Sequence, residues 1–448
     1  MKRLSLLRAA ALACTCAWLG TAAAAEPSPV LLKNVHLFDG KSTRRAATPA
    51  NVLIVEGRIR SISASPIPLE ADMQPQIIDG GGRTLMPGLI DAHWHSLLAS
   101  PSTVQALTAD IAYLHLLAGT VAEATLMRGF TSVRDMGGPS FGLQRAIEEG
   151  LVPGPRILPS GAMISQTGGH GDFRLPHEVP RPEGAPLTYS DQVRVTAIAD
   201  GADEVLRRAR EQLMLGATQI KLMAGGGVTS LYDPIDVTQF GPEELRAAVL
   251  AAENWGTYVA VHAYTSKAVR MALEAGVRSI EHGQLVDEET VRMMVEKGAW
   301  WSLQPFLDNE LANPKTGAAR AKQLMVSTGT DRAFELAKKH KAKVAFGTDI
   351  LGRGTVGNHQ NALLVSMQRW YSPGEVLQIA TRNNGQLLAL AGPRYPLEGP
   401  VGVIEEGAMA DLLLVDGDPT QDLSLIGDPE KNFLLIMKDG VVFKNLLP

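Results

Sequence analysis

Along the chain, short apolar runs rich in Val, Ile and Ala, each closed by a polar residue, alternate with segments whose apolar positions recur every three to four residues. Thr218-Gln-Ile-Lys221-Leu-Met is one such run, and Tyr258-Val-Ala-Val-His262, Ser279-Ile-Glu-His282 and Val344-Ala-Phe-Gly-Thr-Asp349 follow it. Between them lie amphipathic stretches at 243–255, 266–275, 288–297 and 331–341, with Pro242 at one start and Gly276 and Gly298 as stops. Strand alternating with helix predicts a parallel α/β sheet. Eight strands are read at 88–95, 131–134, 156–159 and 218–222, and ending at His262, His282, Leu303 and Thr348. Closed into a (β/α)8 TIM-type barrel over residues 87–395, they would gather their polar ends at the C-terminal face, where such enzymes keep their chemistry.

The pattern changes to short strands with glycine turns at both ends of the chain. Asn51-Val-Leu-Ile-Val-Glu-Gly-Arg-Ile-Arg and Phe433-Leu-Leu-Ile-Met-Lys-Asp-Gly-Val-Val-Phe-Lys each read as a hairpin, bending at Glu56-Gly57 and Asp439-Gly440. Neither end holds enough strands for a core of its own. Residues 26–86 and 396–448 are therefore expected to meet in one small discontinuous β-sandwich.

Composition sets limits on this picture. A chain of 448 residues, 45% hydrophobic, can bury one large domain and a smaller one. Residues 1–25 carry Lys2, Arg3 and Arg8, an apolar stretch and an Ala23-Ala-Ala25 end, the pattern of a cleavable signal peptide; the uncharged run is too short to span a membrane. The expected location is periplasmic or secreted, with no membrane partner after cleavage. Cys14 and Cys16 both fall in that leader, which leaves no cysteine for a disulfide or a thiolate ligand. Its loss also removes three basic groups and no acid, making a formal charge of -5 more negative still. With no basic stripe and no phosphate-binding loop, nucleic acid is not an expected partner.

Candidate chemistry begins at Pro87-Gly-Leu-Ile-Asp-Ala-His93-Trp-His95. On a strand, residues two apart share a face, so both imidazoles can reach one cation; two hydrogen-bonded core histidines are the other reading of the pair alone. Lys221, His262, His282 and Asp349, each at a strand end, shift the balance towards a shared metal site. A polar, Gly/Pro-rich excursion at 165–186 follows strand 3 and contains Gly168-Gly-His170-Gly-Asp172; a loop this long at the catalytic face reads as a substrate-contacting loop. Arg134 and Asp135 read as a structural ion pair, and His36, His115, His177, His340 and His359 as ordinary histidines.

The ordered set His93-x-His95, Lys221, His262, His282 and Asp349, with Met86-Pro-Gly-Leu-Ile-Asp-Ala-His and Glu406-Gly-Ala-Met-Ala-Asp-Leu-Leu-Leu-Val, resembles the amidohydrolase superfamily, in its branch with two metals and a modified lysine. Lys221-Leu-Met-Ala-Gly-Gly-Gly and His262-Ala-Tyr264 are similar to the imidazolonepropionase-like branch, which includes Xaa-Pro and Xaa-basic dipeptidases and ochratoxin-hydrolysing amidohydrolases; the exported, cysteine-free chain is particularly similar to the bacterial ochratoxin-degrading members. The resemblance implies two divalent ions, with His93, His95 and Asp349 on one, His262 and His282 on the other, and carbamylated Lys221 shared. Imidazole and carboxylate donors suit zinc, with manganese, cobalt and iron left open. Asp349 would act as general base and then general acid in the attack of a hydroxide shared by the ions, while His170 and Tyr264 would bind the substrate's carboxylate or oxyanion. The implied reaction is hydrolysis of the amide in an N-acyl amino acid with a free carboxylate, of aryl-acyl phenylalanine (ochratoxin) type. Alternatives are a dipeptidase or carboxypeptidase, a lactone or cyclic-amide hydrolase, and a non-catalytic periplasmic metal-binding protein. The resemblance also implies a large homo-oligomer, an octamer being the expected count.

Overall fold

The computed structural model describes residues 28–180, 185–230 and 232–447. The expected leader at 1–25 lies outside the described residues, as does 181–184 in the Gly/Pro-rich loop.

Eight parallel strands form the barrel: Leu89–Trp94, Phe130–Asp135, Arg156–Pro159, Ile220–Met223, Val259–Thr265, Ser279–Leu285, Trp300–Leu303 and Lys343–Phe346. They are numbered 1 to 8 here. Strands 1 to 3 and 4 to 8 pair in register as two arcs. Two main-chain hydrogen bonds of 2.8 Å join the arcs, from Thr218 N to the Pro159 carbonyl and from Asp349 N to the His93 carbonyl. Beyond a turn, Met163–Ser165 prolongs strand 3 and pairs with strand 4 at Leu222.

Both faces of the strands are buried, which is why they read as near-continuous apolar runs. Ile220, Leu222, Val259, Val261, Ile280 and Phe346 turn outward and share a core with helix residues such as Leu245, Val269, Val291 and Phe334. Alternation then sends Lys221, Ala260, His262, Tyr264, Ser279 and Glu281 inward. His282 is out of phase with this alternation. Its left-handed backbone (φ 75°) breaks the period and brings the ring to the cavity beside Glu281. Asp349, past the end of strand 8, also adopts positive φ (50°), a costly conformation for a non-glycine residue and one that clusters at functional sites.

The helices Pro242–Asn254, Ser266–Ala275 and Glu288–Glu296 lie where periodicity predicts them. Gly317–Lys339 begins fourteen residues before the expected start at 331. Its early turns, Ala-Ala-Arg-Ala-Lys-Gln, bury little, so no apolar stripe announces them.

The chain ends meet, as their shared pattern implies. Thr84–Pro87 pairs antiparallel with Leu412–Val415, linking Val30–Leu37, Ala50–Val55 and Arg58–Ser63 to Phe433–Lys438 and Val441–Asn445 in one eight-stranded arrangement. Leu32, Val52 and Ile54 from the first part pack with Leu412, Leu414 and Met437 from the second. Both hairpins turn on two positive-φ residues (Glu56 51°, Gly57 72°; Asp439 52°, Gly440 74°), the geometry of a type I′ turn. The two turns abut: a Cβ on Gly440 would lie 2.9 Å from the Gly57 Cα. Buried Arg156 of strand 3 ties this layer to the barrel through Asp411 (2.5 Å) and Asp439.

Candidate metal centre and active site

Strands 1, 4, 5, 6 and 8 deliver six side chains to one cavity of about 270 Å³: His93, His95, Lys221, His262, His282 and Asp349 all line it. Donor atoms of His93, His282 and Asp349 lie within 4.8 Å of one another. His93 Nε2 and His95 Nε2 lie 3.5 and 3.2 Å from one Asp349 oxygen, and the His262 and His282 ring centroids are 4.5 Å apart. The tightest triangle thus draws donors from both of the ligand sets the resemblance implies.

Each imidazole is held from behind by its other nitrogen. His93 Nδ1 meets Glu281 (2.8 Å), His95 Nδ1 the Gly137 carbonyl (3.1 Å), His282 Nδ1 Gln304 (2.8 Å), and His262 Nε2 the Gly226 carbonyl (3.1 Å). Such contacts put the proton on the rear nitrogen and leave a lone pair forward, the arrangement a metal ligand needs. Burial lowers His93 to about 4 and His262 and His282 well below the ordinary imidazole range, so these three rings are neutral at pH 7. His95 differs: burial opposes its charge, but Asp349 outweighs burial and raises it. Burial would likewise raise the Asp349 carboxyl, yet His93, His95 and His282 hold it below its usual range. Lys221 is 1% exposed, and burial, its largest influence, brings the amine down to about 8. These neutral imidazoles, the ionised carboxylate and a lysine poised to lose its proton fit a divalent-metal site.

Glu281 and Asp91 are functional groups that sequence reading passed over. Glu281 is fully buried, receives Arg134 Nη2 at 2.7 and 2.8 Å, and faces His93. Arg134 therefore pairs with Glu281 and not with Asp135, correcting the expected ion pair; Asp135 instead accepts the main-chain N–H groups of Ser96 (2.8 Å) and Gly137 (3.2 Å). Arg134 and Glu281 lie in short strands whose local sequence shows no partner, and only the fold brings them together. Asp91 accepts from His93 N, Thr348 N and Oγ1, and Gln360, fixing strand 1 against the end of strand 8. Burial raises its carboxyl to about 6.

His170 and Tyr264 also reach the cavity. His170 stacks on His262 (centroids 4.1 Å), with Nδ1 2.8 Å from Ser230 Oγ, and burial lowers it to about 4. Its ring fits because residue 227 is glycine, where a Cβ would fall 1.9 Å from His170 Cε1. Tyr264 stacks beside His282 at 5.1 Å, and burial keeps its hydroxyl protonated. Leu98, Met163, Phe173, Val195 and Phe306 supply apolar walls. His36, His115 and His340 engage the Ala46 carbonyl, the Ile111 and Pro139 carbonyls and Glu288, respectively, away from the site, whereas His359 lines the cavity.

The amidohydrolase family model matches residues 84–443. An Aspergillus niger ochratoxinase is 32% identical over 433 residues, covering 91% of this chain and 84% of that protein. Its crystal structure superposes with a TM-score of 0.80 at 28% identity, covering 94% and 96% of the two chains. A prolidase solved with N-methylphosphonate-L-proline gives a TM-score of 0.83 at 34% identity, covering 93% of this chain and all of that one. A Xaa-Pro dipeptidase with bound methionine gives 0.79 at 29% identity, with 93% and 100% covered. With the fold, the donor set and nearly the whole chain in agreement, this protein belongs to the amidohydrolase family and is a hydrolase acting on carbon–nitrogen bonds.

Proposed function

We propose that the protein is an exported, binuclear metal-dependent amidohydrolase that cleaves the amide of N-acyl amino acids, with aryl-acyl phenylalanines of ochratoxin type as substrates. The observation that carries this reading is the convergence of six donors on a cavity with largely apolar walls, in a chain similar to an ochratoxinase. His93, His95 and Asp349 would hold one ion, His262 and His282 the other, and Lys221 both, as a carbamate. Neutral Lys221 forms it by attack of its Nζ lone pair on the carbon of CO2 with loss of one proton. When bound, two divalent ions, zinc in our reading, supply Lewis-acid polarisation of the amide carbonyl and a water whose pKa falls to about 7.

The chain's own groups do the rest. Asp349, kept ionised by its histidine neighbours, takes the proton of the attacking water on a carboxylate oxygen and returns it to the leaving amine. Tyr264, whose hydroxyl stays protonated, donates to the carbonyl oxygen as charge gathers there, with His170 on the far side of the shared neighbour His262. The apolar walls exclude water and take the aromatic acyl group.

Xaa-Pro dipeptidase activity is the second reading, favoured by the likeness to a prolidase. One screen separates them: purified protein is incubated with carboxy-terminal dipeptides and with aryl-acyl phenylalanines while free amino acid is quantified. Selective release from the bulky aryl-acyl substrates supports our reading; release from dipeptides alone replaces it. Export by way of residues 1–25 and assembly as an octamer belong to the same proposal. Mass measurement of the protein recovered from the periplasm, by light scattering and on the denatured chain, tests both.

A further inference from the structure

One lysine beside the active site spends its charge on the main chain of a loop. Lys322, in the second turn of helix Gly317–Lys339, reaches across to the loop after strand 4, where its Nζ donates to the carbonyls of Gly227 (3.0 Å), Ser230 (3.2 Å) and Asp233 (2.7 Å). An ammonium has three protons, and these three oxygens use them all. Its neighbour Gln323 does the same for the loop after strand 7, accepting the Lys315 main-chain N–H on Oε1 (3.0 Å) and donating from Nε2 to the Asn313 carbonyl (3.0 Å). Both fastened loops wall the cavity, the first through Val228 and Thr229 and the second through Phe306 and Leu311.

What the strand-4 loop holds in turn is His170. Ser230 Oγ lies 2.8 Å from His170 Nδ1 and donates to the Gly227 carbonyl (3.3 Å). Gly227 N donates to Asp233 Oδ2 (2.8 Å), which also accepts Gln239 Nε2 (3.1 Å), and Gln239 Oε1 accepts the His170 main-chain N–H (2.9 Å). Ring and main chain of His170 therefore both end on groups set by Gly227, Ser230 and Asp233, the residues whose carbonyls Lys322 gathers. Left to itself this loop is unfavourable. Three carbonyl oxygens turned to one point repel one another, and Asp233 Oδ1 is buried with no hydrogen-bond partner among the described residues. A cation at that point offsets both costs.

We propose that Lys322 is a positioning residue of the active site: its ammonium gathers the Gly227, Ser230 and Asp233 carbonyls, and the loop held in this way aims the His170 ring into the cavity. The proposal rests on the place given to His170 in the function above. Lys322 is not among the residues that line the cavity, so its influence on the reaction passes through the loop. Precision matters at this distance from the chemistry, since a displacement of about 1 Å can cost about a hundredfold in rate.

The test is a double-mutant cycle on zinc-loaded enzyme with an N-aryl-acyl phenylalanine, with melting curves to establish that each variant is folded. Lys322→Met should lower kcat/KM by about ten- to a hundredfold. In a His170→Asn background the same change should cost less than about twofold, because the ring it aims is gone. Lys322→Ala should lose as much as Lys322→Met and regain activity with propylammonium, which replaces the missing arm, but not with tetramethylammonium, a cation with no N–H to donate. Hydrogen exchange of the metal-free protein supplies a readout independent of turnover: the peptides carrying Gly227 and His170 should both exchange faster in Lys322→Met. Full activity in Lys322→Met, equal losses in the two backgrounds, rescue by both cations alike, or faster exchange that stops short of His170 would each overturn the proposal. A wild type that releases no phenylalanine removes the functional reading instead, and the exchange measurement still decides whether Lys322 holds His170.

Discussion

Replacing Glu281 with glutamine asks whether the metal donors are aimed from behind. The native carboxylate, fully buried, accepts from Arg134 Nη2 (2.7 and 2.8 Å), His93 Nδ1 (2.8 Å) and Ser279 Oγ (2.6 Å). Glutamine keeps the shape and removes the charge. Arg134 would retain the Ala92 carbonyl, Tyr258 and Ser279, all uncharged. Breaking a buried ion pair costs about 3–5 kcal/mol, and these surviving contacts place the cost near the lower end, about 3 kcal/mol. A second effect follows from hydrogen-bond polarity. Arg134 Nη2 and His93 Nδ1 share one carboxylate oxygen, so the amide oxygen takes that position and the amide NH2 turns to Ser279 Oγ, leaving His93 an uncharged and weaker rear acceptor. His93 is then held less firmly and is a poorer donor through Nε2, the nitrogen 3.5 Å from Asp349. Mutation of such a rear partner lowers metal affinity by about 10–100-fold. Urea denaturation of the metal-stripped proteins reads the first effect, and zinc competition against a chromophoric chelator the second. A variant with wild-type denaturation and zinc affinity within twofold would refute this account of Glu281.

Asp349→Asn should lower kcat by roughly 10²–10⁴-fold, as expected for loss of a general base, while the melting temperature changes little; near-wild-type turnover would remove Asp349 from proton transfer. Lys221, lowered by burial to about 8, loses its proton as pH rises through that value, so the amine able to take up CO2 is about tenfold more abundant at pH 9 than at pH 7. Reactivation of stripped enzyme by zinc and bicarbonate should quicken accordingly, and a rate flat between pH 7 and 9 would count against the carbamate. Gly347→Ala should abolish activity and cost about 1–3 kcal/mol, because its Cβ would lie 2.4 Å from the His93 Cβ and 2.8 Å from the His93 nitrogen; a fully active, equally stable variant would show that strand 1 can yield.

Barrel strands were legible because burial on both faces makes them short apolar runs, and the polar residue ending each run stood out against that background. Lys221 between Ile220 and Leu222 is the clearest case. Where local pattern carries no information, reading failed. Nothing near Arg134 indicates that its partner is Glu281, 147 positions away, instead of its neighbour Asp135. His282 is out of step with alternation, and only its positive φ reconciles the sequence with the cavity. The 3-residue strands Met163–Ser165 and Thr196–Ile198 are too short to show a period. Lys322 sits in helical turns that show no apolar stripe, where a charged residue reads as solvated until tertiary structure turns it onto the strand-4 loop. By contrast, the two hairpins announced themselves by residue type, since paired positive-φ turns favour Gly after Asp or Glu at these bends.

The account rests on two ions shared by these six side chains and used for amide hydrolysis. Its most direct test is to titrate zinc into chelator-stripped protein, in bicarbonate, while measuring phenylalanine released from an N-aryl-acyl phenylalanine. Activity that is absent at the start and climbs to a plateau at two zinc ions per chain is the predicted result. Full activity without metal, or two bound ions with no release of phenylalanine, would contradict it.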